Sequence, residues 1–167
     1  MIGMAKDSFF IRATTNIGNT ATYAERAIDM GAYVDALSSS IVRIHNIAVT
    51  FSDAFGTSNT VTGPAAAQFQ LVTNSQDDTV LPSDKSVIAS GRIHVDGAGA
   101  LPTYVSQDFD ILPQMWNNGY LVGVEALYLG GEASAGFAGN VYVTVVLECT
   151  VEKMSQSAAM ALALSQQ

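Results

Sequence analysis

Residues 140–152 alternate strictly between two side-chain sets. Val141, Val143, Val145, Leu147, Cys149 and Val151 fall on one face, and Tyr142, Thr144, Val146, Glu148, Thr150 and Glu152 on the other. A period of two held over thirteen residues is hard to produce with a helix and marks an extended strand. At about 3.3 Å per residue it spans roughly 40 Å. Its first face is apolar throughout. The second is mixed, as expected of a face that meets solvent or a weak contact.

The rest of the chain reads as shorter strands separated by turn-rich loops. Residues 8–14 form a first strand around Phe9, Phe10 and Ile11, and residues 15–22 a polar turn. Residues 23–34 are ambiguous between a helical turn at Ala24, Glu25 and Arg26 and extended chain. Residues 41–51 make a strand in which the apolar face changes sides near His45 and Asn46, pointing to a bulge there or to burial of both faces. Residues 68–72, with Phe69 and Leu71 inward, residues 87–95, interrupted by Gly91, and residues 104–111 extend the series. Loops are expected at 56–63, at 74–85 and around Gly97, Gly99 and Pro102. Trp116-Asn117-Asn118-Gly119 is a strong turn signal. It precedes residues 120–129, read as the first of two long strands. Gly130, Gly131, Ala133, Ser134, Gly136 and Gly139 then read as a flexible connection to the second.

Residues 153–167 change character and favour helix by propensity, with Met154, Ala158, Ala161 and Leu164 or Ser165 near one stripe. A helix this short is marginal alone in water. It is expected to dock on its own domain, or on a neighbour, or to fray. Seven to nine strands, Gly-rich connections and no amphipathic crossover helices exclude a βαβ enzyme fold. The expected fold is all-β, a single jelly-roll sandwich or barrel over residues 1–152, with a short C-terminal helix or extended tail over 153–167.

The 167 residues suggest one soluble domain. Apolar residues make up 49%, as in an ordinary globular chain, but charged residues only 13%, about half the usual share. The surface is therefore largely Ser, Thr, Asn, Gln, Ala and Gly, which is unusual for a freely diffusing monomer. Burial of much of that surface in an assembly is one explanation, and a merely uncharged soluble domain is the other. Net charge is −8, and the seven cations, Lys6, Arg12, Arg26, Arg43, Lys85, Arg92 and Lys153, are dispersed. Direct nucleic-acid binding lacks its basic footprint, and an anionic membrane surface is an equally poor partner. No signal segment and no run of eighteen apolar residues is visible, so the expectation is synthesis and folding in the cytoplasm.

Candidates for chemistry are few. Cys149 is the sole cysteine and sits in the strand pattern, as a small buried hydrophobe does. His45 and His94 alternate with apolar neighbours and read as hydrogen-bonded sheet residues. Asp77, Asp78 and Asp84 offer carboxylates to calcium, but their spacing does not match the EF-hand loop. Asp108 and Asp110 share a face if extended. Trp116 and Tyr120, near Asn117, could form a sugar platform. Hydrolase elbows, zinc helices, Walker loops and dinucleotide fingerprints do not occur. No catalytic, cofactor-binding or metal-ligating residue is assigned, and no cofactor is expected.

Three segments carry a resemblance: Arg43-Ile-His-Asn-Ile, Tyr120-Leu-Val-Gly-Val-Glu-Ala-Leu-Tyr-Leu-Gly-Gly, and the 140–152 strand with its Ala-rich tail. Together they resemble the small single-jelly-roll major capsid proteins of tailless, icosahedral, membrane-containing viruses (sphaerolipovirus-like). The resemblance is diffuse and covers most of the length. It implies an upright jelly roll of two four-stranded sheets, located in the virion. It also implies capsomers of several copies, sometimes with a second, larger β-barrel protein, over an internal viral membrane. That family transfers no catalytic residue. Two other classes fit the composition: an extracellular fibre or pilin-like β-sandwich subunit completed by a neighbour's strand, and a carbohydrate- or ligand-binding β-sandwich module with an aromatic patch at Trp116, Tyr120 or Tyr104.

Overall fold

The computed structural model describes residues 7–35, 37–97 and 104–166. The loop expected at Gly99 and Pro102, and residues 1–6, lie outside that set. Strands run in the order β1 (Phe9–Gly18), β2 (Ala24–Asp29), β3 (Ser40–Ser52), β4 (Ala65–Val72), β5 (Val87–Asp96), β6 (Tyr104–Ile111), β7 (Tyr120–Val122), β8 (Ala126–Ala133) and β9 (Val141–Lys153). A 3-10 turn, Pro113–Met115, precedes β7, and helix α1 (Gln156–Ser165) follows β9.

The pairing is nested. β1 lies antiparallel to β9, β2 to β8, β3 to β7 and β4 to β5. Rolled up, this ribbon gives one sheet of order β1-β9-β3-β7 and a second of order β2-β8-β4-β5-β6. Every connection except β4–β5–β6 crosses from one sheet to the other. This is a jelly roll with one extra strand, β6, on the edge of the second sheet.

The 140–152 pattern builds the centre of it. Val141, Val143, Val145, Leu147 and Cys149 are fully buried, facing core residues that include Phe69, Leu71, Leu127 and Leu129. Phe69 meets Phe51 and Phe109 edge-on, at ring-centroid separations of 5.9 and 6.4 Å. The change of face in β3 is a bulge: its register against β9 shifts between Ile44 and Asn46. That shift keeps Ile44 and Ile47 both buried although three residues apart.

Several expectations are corrected. Residues 120–129 are not one long strand. The chain leaves the first sheet after Val122 and enters the second at Ala126. Gly130 and Gly131 are not a flexible connection but lie inside β8, where a Cβ on Gly131 would sit 2.2 Å from the Gln68 carbonyl oxygen. Gly91 does not interrupt β5; the Phe109 ring packs over it, 2.6 Å from where a Cβ would be. The first strand runs on to Gly18 rather than turning at Thr15, because Thr15 donates its hydroxyl to the Leu129 carbonyl at 2.9 Å and Ile17 is core. Residues 24–29 resolve as a strand.

The C-terminal segment forms its helix, capped by Ser155, whose hydroxyl accepts from the Ala158 N–H. Its contact stripe differs from the expected one. Ala158, Ala161 and Leu164 are exposed, whereas Ala159 and Gln166 are buried. Leu162 lies over Gly123, within 2.9 Å of where a Cβ would stand, so the helix docks where the chain passes between sheets.

Candidate assembly surfaces

The residues singled out from sequence are dispersed over the molecule, and most are engaged locally. His45 Nε2 shares a 2.9 Å hydrogen bond with the Thr150 hydroxyl across β3 and β9. His94 faces outward on β5 and borders a groove floored by Ala66 and Ala67. Asp84 accepts from both the N–H and the hydroxyl of Ser86, which holds its carboxyl below the usual range. Asp78 accepts from the Thr79 N–H at 2.8 Å. Among the described residues no three His, Cys, Asp or Glu side chains converge as metal ligands, so Asp77, Asp78 and Asp84 do not make a preformed cage. Asp110 takes Arg92 Nη2 at 3.0 Å and the Ser90 hydroxyl at 3.3 Å. Burial, with the nearby Glu148 charge, pushes the Cys149 thiol up to about 12, leaving it a neutral core group. Trp116 is half exposed. Tyr120 is turned away into a contact with Gln166, and its burial raises its hydroxyl above the ordinary value.

What the tertiary structure assembles instead is a set of surfaces. The outer face of the first sheet is laid out by register in rows: Phe10–Glu148–Asn46, Arg12–Val146–Ala48, Thr14–Thr144–Thr50. The lower rows are small and uncharged apart from Arg12, whose guanidinium lies 5.6 Å over the Phe10 ring. Thr14 and Thr144 share a 2.9 Å hydrogen bond. Toward the β7 side the face becomes polar. Arg43 is ion-paired with Glu152 and also donates to the Asn118 carbonyl, and Asn46 donates to Glu148 at 2.6 Å. These groups line a shallow hollow of about 700 Å³.

The outer face of the second sheet is covered in part by the loop between β4 and β5. Gln70, only 2% exposed, is its anchor. Its Nε2 donates to the Tyr23 hydroxyl at 3.0 Å and to the Asp78 carbonyl at 3.1 Å, and its Oε1 accepts from the Val80 N–H at 2.9 Å. Glu25 holds the same loop by accepting from Ser75 and from the Gln76 N–H. Burial, together with the neighbouring Glu25, raises the Tyr23 hydroxyl far above its usual range.

Sheet edges are the third surface. β7 covers β3 only from Val42 to Ile44. Two glutamine side chains continue the ladder. Gln114 pairs its amide with the backbone of Ile47, and Gln166 does so along β7, accepting from the Gly123 N–H at 2.8 Å and donating to the Leu121 carbonyl at 2.7 Å. Each amide presents an N–H donor beside a carbonyl acceptor, as a backbone unit does, and the second N–H of Gln166 goes to the Tyr120 hydroxyl. An edge covered in this way presents less template for unwanted strand addition. Single glutamines in loops leave no periodic trace, which is why neither was singled out from sequence.

The loops at one end of the sandwich form the fourth. Val61 bridges Phe137, Ala138 donates to the Thr60 carbonyl, and Asn19 donates to the Phe137 carbonyl at 3.1 Å. The loops after β1, β3 and β8 are thereby fused. At the tip Asp53 accepts from the N–H groups of Phe55 and Thr57, both at 2.9 Å, and from the Thr57 hydroxyl. The Thr57 hydroxyl, then these backbone donors, hold the Asp53 carboxyl below the usual range. The tight turn presents Phe55, 91% exposed.

No family model and no curated protein matches the sequence. Among solved structures the chain is similar to the unassembled VP1 pentamer of Merkel cell polyomavirus, at 8% identity and TM-score 0.39, over 91% of this chain and 98% of that one. It is similar to turnip yellow mosaic virus at 13% identity and TM-score 0.32, over 94% and 88% of the two chains. It is also similar to a Bacillus endospore appendage of a disulfide-linked pilus family, at 14% identity and TM-score 0.26, over 93% and 96%. Similarity this distant assigns no role to any residue.

Proposed function

We propose that this chain is a structural subunit that assembles with copies of itself into an icosahedral virion shell. The observation that carries the reading is the exterior of the jelly roll. The lower rows of its outer sheet face and its fused loop end are built mostly of small, neutral side chains, and some of the charges nearby are engaged in contacts such as Arg43–Glu152 and Arg92–Asp110. Surfaces of that kind can be hidden by a neighbour with little cost of stripping water from ions.

In this reading residues 1–152 are the shell domain and 153–167 a C-terminal segment whose helix packs back on that domain. The finer assignment follows the sequence resemblance: a membrane-containing, sphaerolipovirus-like virion, with a second, larger capsid protein as partner and a lipid layer beneath. No residue is given a catalytic or metal-binding role.

Electron microscopy of native material containing the chain tests this. Closed icosahedral particles are expected. Filaments would favour a fibre subunit, and single molecules that never associate at any concentration would overturn the reading.

A further inference from the structure

The two ends of the sandwich differ in charge. At the fused end, the loop residues 19–23, 54–64 and 134–140 contain no Asp, Glu, Lys, Arg or His. Two carboxylates border it: Asp53 is turned into its own loop by Phe55 and Thr57, and Asp96 stands at the end of β5 beside Pro64 and Ser134. At the opposite end, Asp29, Asp35, Asp84 and Glu125, with Lys85 as a cation among them, stand in or beside the connections from β2 to β3, β4 to β5 and β7 to β8. Phe55, the most exposed large apolar side chain among the described residues, sits on the neutral end.

We infer that this neutral loop end is where two copies of the chain meet, with Phe55 as the anchor. The inference rests on the reading of the chain as a self-assembling subunit and names the face used. Two copies, each of net charge −8, repel on approach. Contact through the loops after β1, β3 and β8 keeps the acidic connections of both copies far apart and involves few ions, of which Asp53 is already held by its own loop. A strongly acidic or basic partner would find no counter-charge there, which favours a second neutral end or neutral flank of the same protein. The Asp53 bonds and the loop-to-loop bridge at Val61 and Phe137 fix the turn before contact. Little freedom is then lost on docking. A large apolar side chain presented on a fixed turn offers area that a neighbour can bury at the centre of a contact.

Sedimentation equilibrium of the full chain, over a range of concentration and salt, tests it. The variants are Phe55→Glu, Phe55→Lys and Ala135→Glu at the neutral end, and Leu81→Glu, also exposed (75%) but in the loop from β4 to β5, as control. Both signs of charge at position 55 are expected to weaken association by about tenfold or more, since either ion must be dehydrated. Ala135→Glu should act likewise without touching the Asp53 turn, and Leu81→Glu should leave association within about twofold. If the wild type associates and the three neutral-end variants associate equally well, the face is elsewhere and only this inference fails. If Leu81→Glu weakens association as much as they do, the same conclusion holds. If the wild type stays monomeric throughout, the assembly reading fails with it.

Discussion

Gln114 pairs with Ile47 as a strand would: its Oε1 accepts from the Ile47 N–H at 3.1 Å and its Nε2 donates to the Ile47 carbonyl at 3.0 Å. The Pro113–Met115 turn, which bonds back to Leu112, holds the side chain there. β3 therefore keeps one more ladder step than its three-residue partner β7 provides. Gln114→Ala should cost about 1–2 kcal/mol, the net worth of two hydrogen bonds, read by urea unfolding. Amide exchange at Ile47 should quicken in step. Gln114→Glu retains the acceptor but loses the donor, so exchange at Ile47 should fall between the two. No change at Ile47 in either variant would refute the pairing.

Gln166 does the same along β7, and Gly123 makes room for the helix that carries it. Gln166→Ala should leave the Gly123 N–H and Leu121 carbonyl unsatisfied beneath α1, costing about 1–3 kcal/mol. Gly123→Ala should push Leu162 outward and loosen α1 with little effect on the strands. Limited proteolysis then releases the C-terminal segment from Gly123→Ala faster than from wild type, while the remainder resists. Equal resistance of both proteins would argue against this docking.

Two glycines in neighbouring stretches of sequence should respond oppositely to alanine. A Cβ at Gly131 would meet the backbone carbonyl of Gln68 at 2.2 Å, where neither strand can retreat without breaking the β4–β8 ladder. Gly131→Ala should destabilise by more than about 3 kcal/mol or fail to fold. A Cβ at Gly139 meets nothing within 4 Å. Gly139→Ala should therefore change stability by less than about 0.5 kcal/mol. Thermal melts of the pair decide the point, and equal effects would contradict the close approach of β8 to β4.

Alkaline pH should weaken the fold. Cys149 is raised from 9.0 to about 12 in the folded protein, so between those values the folded state keeps a proton that the unfolded chain has released. The unfolded state binds fewer protons in that window, and stability falls as pH rises through it. Below pH 9 Cys149 contributes no slope. Tyr23 and Tyr120, both raised by burial, add in the same direction. Cys149→Ala should flatten but not abolish the alkaline limb of a stability–pH curve. The native thiol should resist alkylation at pH 8 and react on unfolding. Rapid labelling of the folded protein would mean that Cys149 is not enclosed.

Backbone periodicity made part of this architecture readable in advance. The 140–152 alternation became β9, the change of face at His45 and Asn46 became a bulge, and Phe69 and Leu71 became core. Each is a local pattern imposed by the side-chain period of an extended chain on a single hydrophobic interior. The split of residues 120–129 between two sheets was not readable, because Val122 and Leu127 are equally apolar and only the crossing at Gly123 separates them. Nor were the roles of Gly130 and Gly131, whose meaning lies in the distance to Tyr23 and Gln68, residues more than sixty positions away.

The surfaces divide in the same way. Scarcity of charge is a property of composition and is present in the unfolded chain. Its sorting into one neutral end and one acidic end exists only once nested pairing brings the loops after β1, β3 and β8 together. Sequence alone determined that the chain would be a sheet-built molecule with a weakly charged exterior, because side-chain period and composition are local quantities. Tertiary structure decided which loops share an end, which glutamines stand in for strands and where Phe55 points, because these depend on contacts between residues remote along the chain.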